Sequence, residues 1–388
     1  MITQLFSGND AVPVARRWEN VGQASSLSCV RCSGDFRSSR SQDVLRGQAG
    51  CLSYIVPPQF RCAGGTVFWK ICHCLFLLAF LLADCVCADA EKDRASVFIA
   101  VGAGGGQVYA DAFAAWAVQW QRACDAGGAQ SITIGLEKEA RSDRERLKAA
   151  LDAEPKEGAN ELWLVLLGHG TADAKDAKFN LRGDDLSASE LATWLKPFHR
   201  TVVVVCAFSA SGAWLKPLAG PDRVIITATK NGSENNYARF GGHLAQAIAA
   251  PAADIDKDGE TSLLEAWLTA ARKTADFYKD EGRIATEHSL LDDNGDGLGT
   301  PPDWFSGVRM IKKSKDGSVP DGLRAAQIHL VHSAAERALT AQQRGERDTL
   351  ERDLAALREK KSGMKEDDYF RELEALMLKL ARIYRGGS

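Results

Sequence analysis

Beyond residue 90 the chain is nearly without cysteine. Of its 10 cysteines only Cys124 and Cys206 lie there, which excludes a disulfide framework for the main part of the protein. Both read as small buried side chains. No basic stretch strong enough to hold nucleic acid appears either. Residues 1–66 carry a net +3 and the remainder −6, so nucleic acid is not an expected partner. A bilayer span of about 20 apolar residues is also missing, since the longest apolar run covers only residues 71–83.

That short run has Lys70 before it and the small residues Ala88 and Ala90 after it. This is the three-part layout of a secretory signal over 67–90, with cleavage after Ala88 or Ala90. The expected location is secreted or periplasmic, and the expected membrane contact is through this segment alone. A membrane anchor is the competing reading. The preceding residues 1–66 show no helical or strand period, and they contain a near-repeat, "GQASSLSCV" and "GQAGCLSYI". They read as a spurious or disordered extension, with the true start near Val67. The Cys29-x-x-Cys32 pair resembles half a zinc site, but no second pair follows at useful spacing.

From Ala95 onward, apolar β-branched runs alternate with helical periodicity. Strands are expected at 96–102, 131–135, 161–170, 201–207 and 223–229, and helices at 109–124, 141–153, 187–198 and 238–250. Ser187 is the expected N-cap of its helix, with Glu190 at the capping-box position. Strands apolar on both faces imply a mostly parallel sheet between two helical layers. In such sheets ligands collect beyond the carboxyl ends of the strands. His169 follows the third strand and Ser209 the fourth, so the two can share one crevice.

These strand endings resemble the caspase–legumain group of cysteine peptidases. "LLGHGT" (166–171) is similar to the family's His-Gly, and "AFSASG" (207–212) to its nucleophile turn, with Ser211 and Gly212 in place of the family's Ser-Gly. "FIAVGAGGGQVYADAFAAW" and "VIITATKNGSENN" resemble the first strand and the strand after the nucleophile. The likeness covers about residues 95–250. It implies a caspase-like three-layer sandwich, with His169 as acid/base, a nucleophile at position 209, and an oxyanion hole from the backbone N–H groups of Gly170 and residue 209. It also implies a peptide or protein as substrate or ligand. The chain departs from the family at the decisive atom, because position 209 is Ser. Cys206 lies roughly 10 Å back along the strand and is no substitute. A Ser hydroxyl needs a base, and usually an orienting carboxylate behind that base. Asp173, Asp184 and Asp185 follow His169 as candidates.

Two alternatives stay open. One is a degenerate peptidase homologue that binds or scaffolds; the other is an active endopeptidase using a His169/Ser209 dyad. In the bland reading of the same residues, Ser209 and Ser211 cap the following helix, and His199 and His243 are ordinary residues.

"DIDKDGETSLLE" (254–265) is the sharpest motif. Asp254, Asp256 and Asp258 take positions 1, 3 and 5 of an EF-hand loop, Gly259 the turn, the Glu260 carbonyl position 7, Ser262 position 9 and Glu265 position 12. "DDNGDGLGTPPD" (292–303) repeats the pattern with Asp292, Asn294, Asp296, Leu298 (through its carbonyl), Thr300 and Asp303. Both loops point to Ca2+. Past residue 321 the sequence is charged and helical, with a break at Gly363. Leu350, Leu354 and Leu357 are expected to face Leu373, Leu376, Leu378 and Leu380 in an antiparallel hairpin. A coiled-coil oligomerisation arm competes with it. The resulting division is 91–252 for the α/β domain, 253–305 for the calcium loops as an insertion, and 306–388 for the C-terminal α-helical hairpin.

Overall fold

The computed structural model describes residues 94–137, 141–173, 175–312 and 321–386. The expectations for residues 1–66, the signal over 67–90 and the Cys29/Cys32 pair lie outside the described residues. No helix among the described residues is long and apolar enough to cross a membrane.

The elements in chain order are β1 (Ser96–Val101), α1 (Gln107–Gly127), β2 (Gln130–Ile134), α2 (Asp143–Ala153) and β3 (Leu162–Leu167). A small antiparallel sheet follows, of β4 (Gly170–Ala172), β5 (Ala177–Phe179) and β6 (Leu186–Ser187). Then come α3 (Ala188–Leu195), β7 (Val202–Ala207), the short α4 (Leu215–Leu218), β8 (Arg223–Thr227), α5 (Phe240–Ala247), α6 (Leu263–Asp280) and β9 (Leu290–Asp292). A two-stranded ribbon, β10 (Phe305–Ser306) with β11 (Arg309–Met310), precedes α7 (Ala334–Ala338), α8 (Ala341–Lys360) and α9 (Glu366–Gly386).

The main sheet runs β2-β1-β3-β7-β8-β9. Every pairing is parallel except β8 with β9. Alternation along the strands divides the core into two layers, because successive side chains leave a strand on opposite faces. Val97, Ile99, Trp163, Val165, Val203 and Val205 join α1, α5 and α6 on one face. Phe98, Ala100, Leu164, Leu166, Val204 and Cys206 join α2 and α3 on the other. The fold is thus an α/β three-layer sandwich with a mainly parallel sheet, as the doubly apolar strands predict. Cys124 and Cys206 are free and buried, one in each layer, and burial raises both thiol pKa values, that of Cys124 to about 12.

Ser187 caps α3 by accepting from the Glu190 N–H at 3.2 Å. The Glu190 carboxylate does not complete the box. It takes the Arg144 guanidinium instead, with Nε donating at 3.1 Å, because a two-pronged charged partner outcompetes a single backbone N–H.

In the C-terminal part α8 and α9 form the expected antiparallel pair. Leu357 of α8 and Tyr369 and Ile383 of α9 are buried, and a buried Arg347–Glu336 ion pair joins α8 to α7. Tyr384 of α9 donates to the same Glu336 at 2.7 Å. Leu378, expected to face inward, is 52 % exposed. Residues 321–333, expected to be helical, are turns and one 3-10 turn. Their backbone is spoken for elsewhere: the Ile328 carbonyl accepts from Leu263 N–H at 2.8 Å, and Ile328 and Leu330 join the core.

Candidate functional site

The order β2-β1-β3 reverses the direction of chain progression at β1, which opens a crevice beyond the carboxyl ends of β1 and β3. His169 sits there, two residues past β3. The glycine-rich turn after β1 admits it closely, and the Gly104 carbonyl accepts a hydrogen bond from its ring. Any side chain at Gly104 would run into Ala110, since an added Cβ would lie 2.7 Å from that backbone nitrogen. Tyr109 and Phe113 of α1 meet the imidazole edge-on at 5.0 and 5.1 Å, and Tyr237 lies at 6.0 Å. Arg239 stacks over the Tyr237 ring at 5.1 Å. Burial among these rings lowers the His169 pKa, and the Gly104 bond only partly opposes it.

None of the acidic residues proposed to orient His169 does so. Asp173 accepts from the backbone N–H groups of Lys175 and Asp176, and Asp185 from that of Leu181. Asp184 is 83 % exposed and lies 3.8 Å from Arg144.

Ser209 follows β7 and is only 2 % exposed. Its hydroxyl is engaged twice by one residue. It donates to the Gly170 carbonyl at 3.0 Å and accepts from the Gly170 N–H at 3.0 Å. The hydroxyl thus lies on the β4 backbone rather than free in the crevice, and the N–H assigned to an oxyanion hole already has a partner. Ser211 is structural too. Its oxygen accepts from the N–H groups of Ala228 and Thr229 at 3.0 and 3.2 Å, pinning the turn after β7 to the end of β8. Ala210 between them holds φ 60°, a left-handed conformation that costs a non-glycine residue about 1–2 kcal/mol. His199 is exposed on the surface, and His243 lies on α5.

The two acidic loops share one hydrogen-bond plan. In the first, Asp254 accepts from the N–H groups of Lys257 and Gly259; in the second, Asp292 accepts from those of Gly295 and Gly297. Asp256 accepts from Asp258 N–H, and Asn294 from Asp296 N–H. Asp258 accepts from Glu260 N–H, and Asp296 from Leu298 N–H. Lys257 and Gly295 at position 4 are left-handed, as are Gly259 and Gly297 at position 6. Glu265 closes the first loop by accepting from the N–H groups of Ile255 and Asp256 at 2.6 and 3.1 Å. It also serves as the second half of the Ser262 capping box of α6.

In the second loop that closing place belongs to Asp321. It accepts from the N–H groups of Asp293 and Asn294 at 2.9 and 3.1 Å. Asp303, expected at position 12, is not brought there; its side chain is 68 % exposed and pairs with Lys312. Pro301 and Pro302 turn the chain into a 3-10 turn at this point, so no helix presents a twelfth residue inward. Asp293, which sequence reasoning passed over, receives the N–H groups of Gly322, Arg324 and Ala325 and so fixes Asp321 in place. The one signal for Asp321 in the sequence is the Asp-Gly pair at 321–322, a common turn.

Asp254, Asp256 and Glu265 bring carboxylate oxygens within 4.8 Å of one another. Burial, reinforced by neighbouring carboxylates, raises the Asp256 and Asp258 pKa values. Burial first, then Asp321, pushes Asp292 up to about 6. Oxygen donors alone, with several carboxylates taken out of water, form the kind of donor set that suits Ca2+ rather than a transition metal.

No family model and no curated protein matches the chain. Among solved structures it is similar to the Drosophila initiator caspase Dronc, at 13% sequence identity and a TM-score of 0.35. That match covers 54% of this chain and 82% of the caspase, and at this level it carries no statement about activity.

Proposed function

We propose that the chain is a caspase/legumain-like peptidase homologue that binds a peptide or protein in the crevice at His169 without cleaving it. The observation that carries this reading is the pair of hydrogen bonds that ties the buried Ser209 hydroxyl to the Gly170 backbone. His169 adds to it, since Asp173, Asp184 and Asp185 are all engaged elsewhere and none orients its ring. A serine nucleophile works through a base held against it, so a hydroxyl bonded to backbone is disarmed. Parts suited to recognition stand near His169, the exposed Tyr109 ring and the Arg239 guanidinium, which suit a peptide with an aromatic or acidic side chain.

In the same proposal the two acidic loops bind Ca2+ as structural ions beside the sandwich, with Asp321 as the closing carboxylate of the second. The segment over 67–90 sends the protein out of the cytoplasm, where calcium is plentiful enough for such loops.

The test is a diverse peptide library incubated with the protein in calcium and read by mass spectrometry. Expected is no cleavage by the native chain and none by His169→Ala. Cleavage by the native chain that disappears in His169→Ala overturns the proposal in favour of an endopeptidase with His169 as acid/base and Ser209 as nucleophile. Cleavage gained by Ser209→Cys marks a site that lost its nucleophile while its other parts stayed in place.

A further inference from the structure

At the edge of the first acidic loop, one cluster of mixed side chains has no role in the proposed function. Glu260, His329 and His332 offer one ligand atom each, all within 4.8 Å of one another. The Glu260 Oε2 atom lies 3.6 Å from His329 Nε2 and 3.9 Å from His332 Nδ1. Both separations are too long for a hydrogen bond. His329 is 9 % exposed, and its Nδ1 atom has no partner. His332 Nδ1, turned toward Glu260, is likewise buried and unpartnered. A buried polar nitrogen without a partner costs about 1–3 kcal/mol, so the His332 Nδ1 atom, which faces Glu260, calls for something to receive it.

We infer that Glu260, His329 and His332 form a site for a zinc-class divalent cation. Zinc takes imidazole nitrogen and carboxylate oxygen at about 2.0–2.2 Å, which in a tetrahedron sets its ligand atoms about 3.3 Å apart. The spacings of 3.6 and 3.9 Å are therefore a few tenths of an ångström wider than a filled site needs. Two imidazoles and one carboxylate leave the fourth position for water. The nitrogen pair sets this site apart from the calcium loops, whose donors are all oxygen.

The place of the site gives it a mechanical role. Glu260 is the seventh residue of the first acidic loop, and its carboxylate faces the histidines. His329 and His332 belong to the segment that leads from the core to α7. In that segment Ser333 N–H donates to Glu260 Oε1. A cation there clamps the helical hairpin to the first acidic loop.

The test uses the full chain with its thiols alkylated, so that the cysteine-rich head takes no metal, and with millimolar Ca2+ present. Zn2+ is titrated against a chromophoric chelator, and Co2+ is followed by its visible d–d absorption. Expected is one Zn2+ per chain, bound at least about 10-fold more weakly in His329→Gln and in His332→Gln, and unchanged in the surface control His199→Gln. Expected for Co2+ is a tetrahedral nitrogen–oxygen spectrum that both variants lose. Thermal melts check folding. If His329→Gln does not fold, His332→Gln decides, because its side chain is 31 % exposed and tolerates change. Zn2+ affinity equal to wild type in His332→Gln, or no Zn2+ uptake by the native chain, overturns the site.

Discussion

The Thr300 hydroxyl donates to Asp321 Oδ2 at 2.6 Å, as the Ser262 hydroxyl donates to Glu265 Oε2 at 2.9 Å. Thr300 and Ser262 both occupy position 9 of their loops, so Asp321 repeats the work of Glu265 from 18 residues beyond the end of its own loop. A closing carboxylate that holds two backbone N–H groups and a hydroxyl is worth about 1.5–3 kcal/mol for a single charged bond alone. Asp321→Asn is expected to weaken calcium binding at the second loop by about 10- to 100-fold. Asp303→Asn is expected to leave it within about twofold, because an exposed pair with Lys312 contributes little. Calcium titration calorimetry on both variants decides. Loss with Asp303→Asn and none with Asp321→Asn would return the twelfth position to Asp303.

The same carboxylates are expected to make the calcium-free protein respond to pH. Burial, with like charges nearby, pushes Asp292 and Asp293 up to about 6 and raises Asp321. A carboxyl raised in the folded state favours folding while it is protonated. Its contribution is complete below the unfolded pKa of about 3.9 and is lost as pH rises through the folded value. In EDTA the melting temperature is therefore expected to carry a component that falls from pH 5 to pH 7.5, by about 2–4 °C for each kcal/mol lost. Calcium at pH 7.5 is expected to restore it. His169 and His243, whose pKa values burial lowers, act with opposite sign at the acid end. The double variant Asp292→Asn/Asp321→Asn isolates the carboxylate component. If the drop in EDTA persists in that variant, the cause lies elsewhere.

Much of the sandwich is legible because it rests on local patterns. The run Val202–Ala207 is apolar at every position, and such a strand fits only the interior of a sheet covered on both sides. Ser187 announces its helix and does accept from the Glu190 N–H, whereas the full capping boxes, at Ser142 with Glu145 and Ser262 with Glu265, go unread. Long-range partners escape such reading. Asp321 meets Asp293 and Asn294 only because a distant turn folds back onto the loop. The helical period over 321–333 misleads for a related reason, since Ile328 and Leu330 are apolar to fill the core from a non-helical segment. At the crevice the sequence places His169 and Ser209 at neighbouring strand ends, but hydroxyl direction is set by the Gly170 backbone. No residue pattern records that choice.

The sheet itself offers a plain stability test. Trp163 is fully buried on β3 and lies 6.2 Å from Trp120 of α1, ring to ring. Trp163→Ala removes a large side chain from the layer that joins the sheet to α1. The expected cost is about 3–5 kcal/mol in urea denaturation. A cost under about 1 kcal/mol would mean that this layer is not close-packed.

The contact between Ser209 and Gly170 yields the prediction that bears most directly on function. If the hydroxyl is a structural pin, its removal must cost stability whether or not the protein has any activity. Ser209→Ala leaves the buried Gly170 N–H and carbonyl each without this partner, at about 1–3 kcal/mol. Gly170→Ala strikes the same joint from the other side. Its Cβ would lie 2.4 Å from the Phe208 ring and from the Ser209 carbonyl oxygen, so the turn after β7 must shift. Overpacking of this kind costs about 1–3 kcal/mol. Because the two residues touch, the double variant is expected to cost less than the two single losses combined. Urea midpoints for the two single variants and the double measure this directly. A serine kept for chemistry alone predicts the opposite: Ser209→Ala then melts with the native protein, and strict additivity with Gly170→Ala follows.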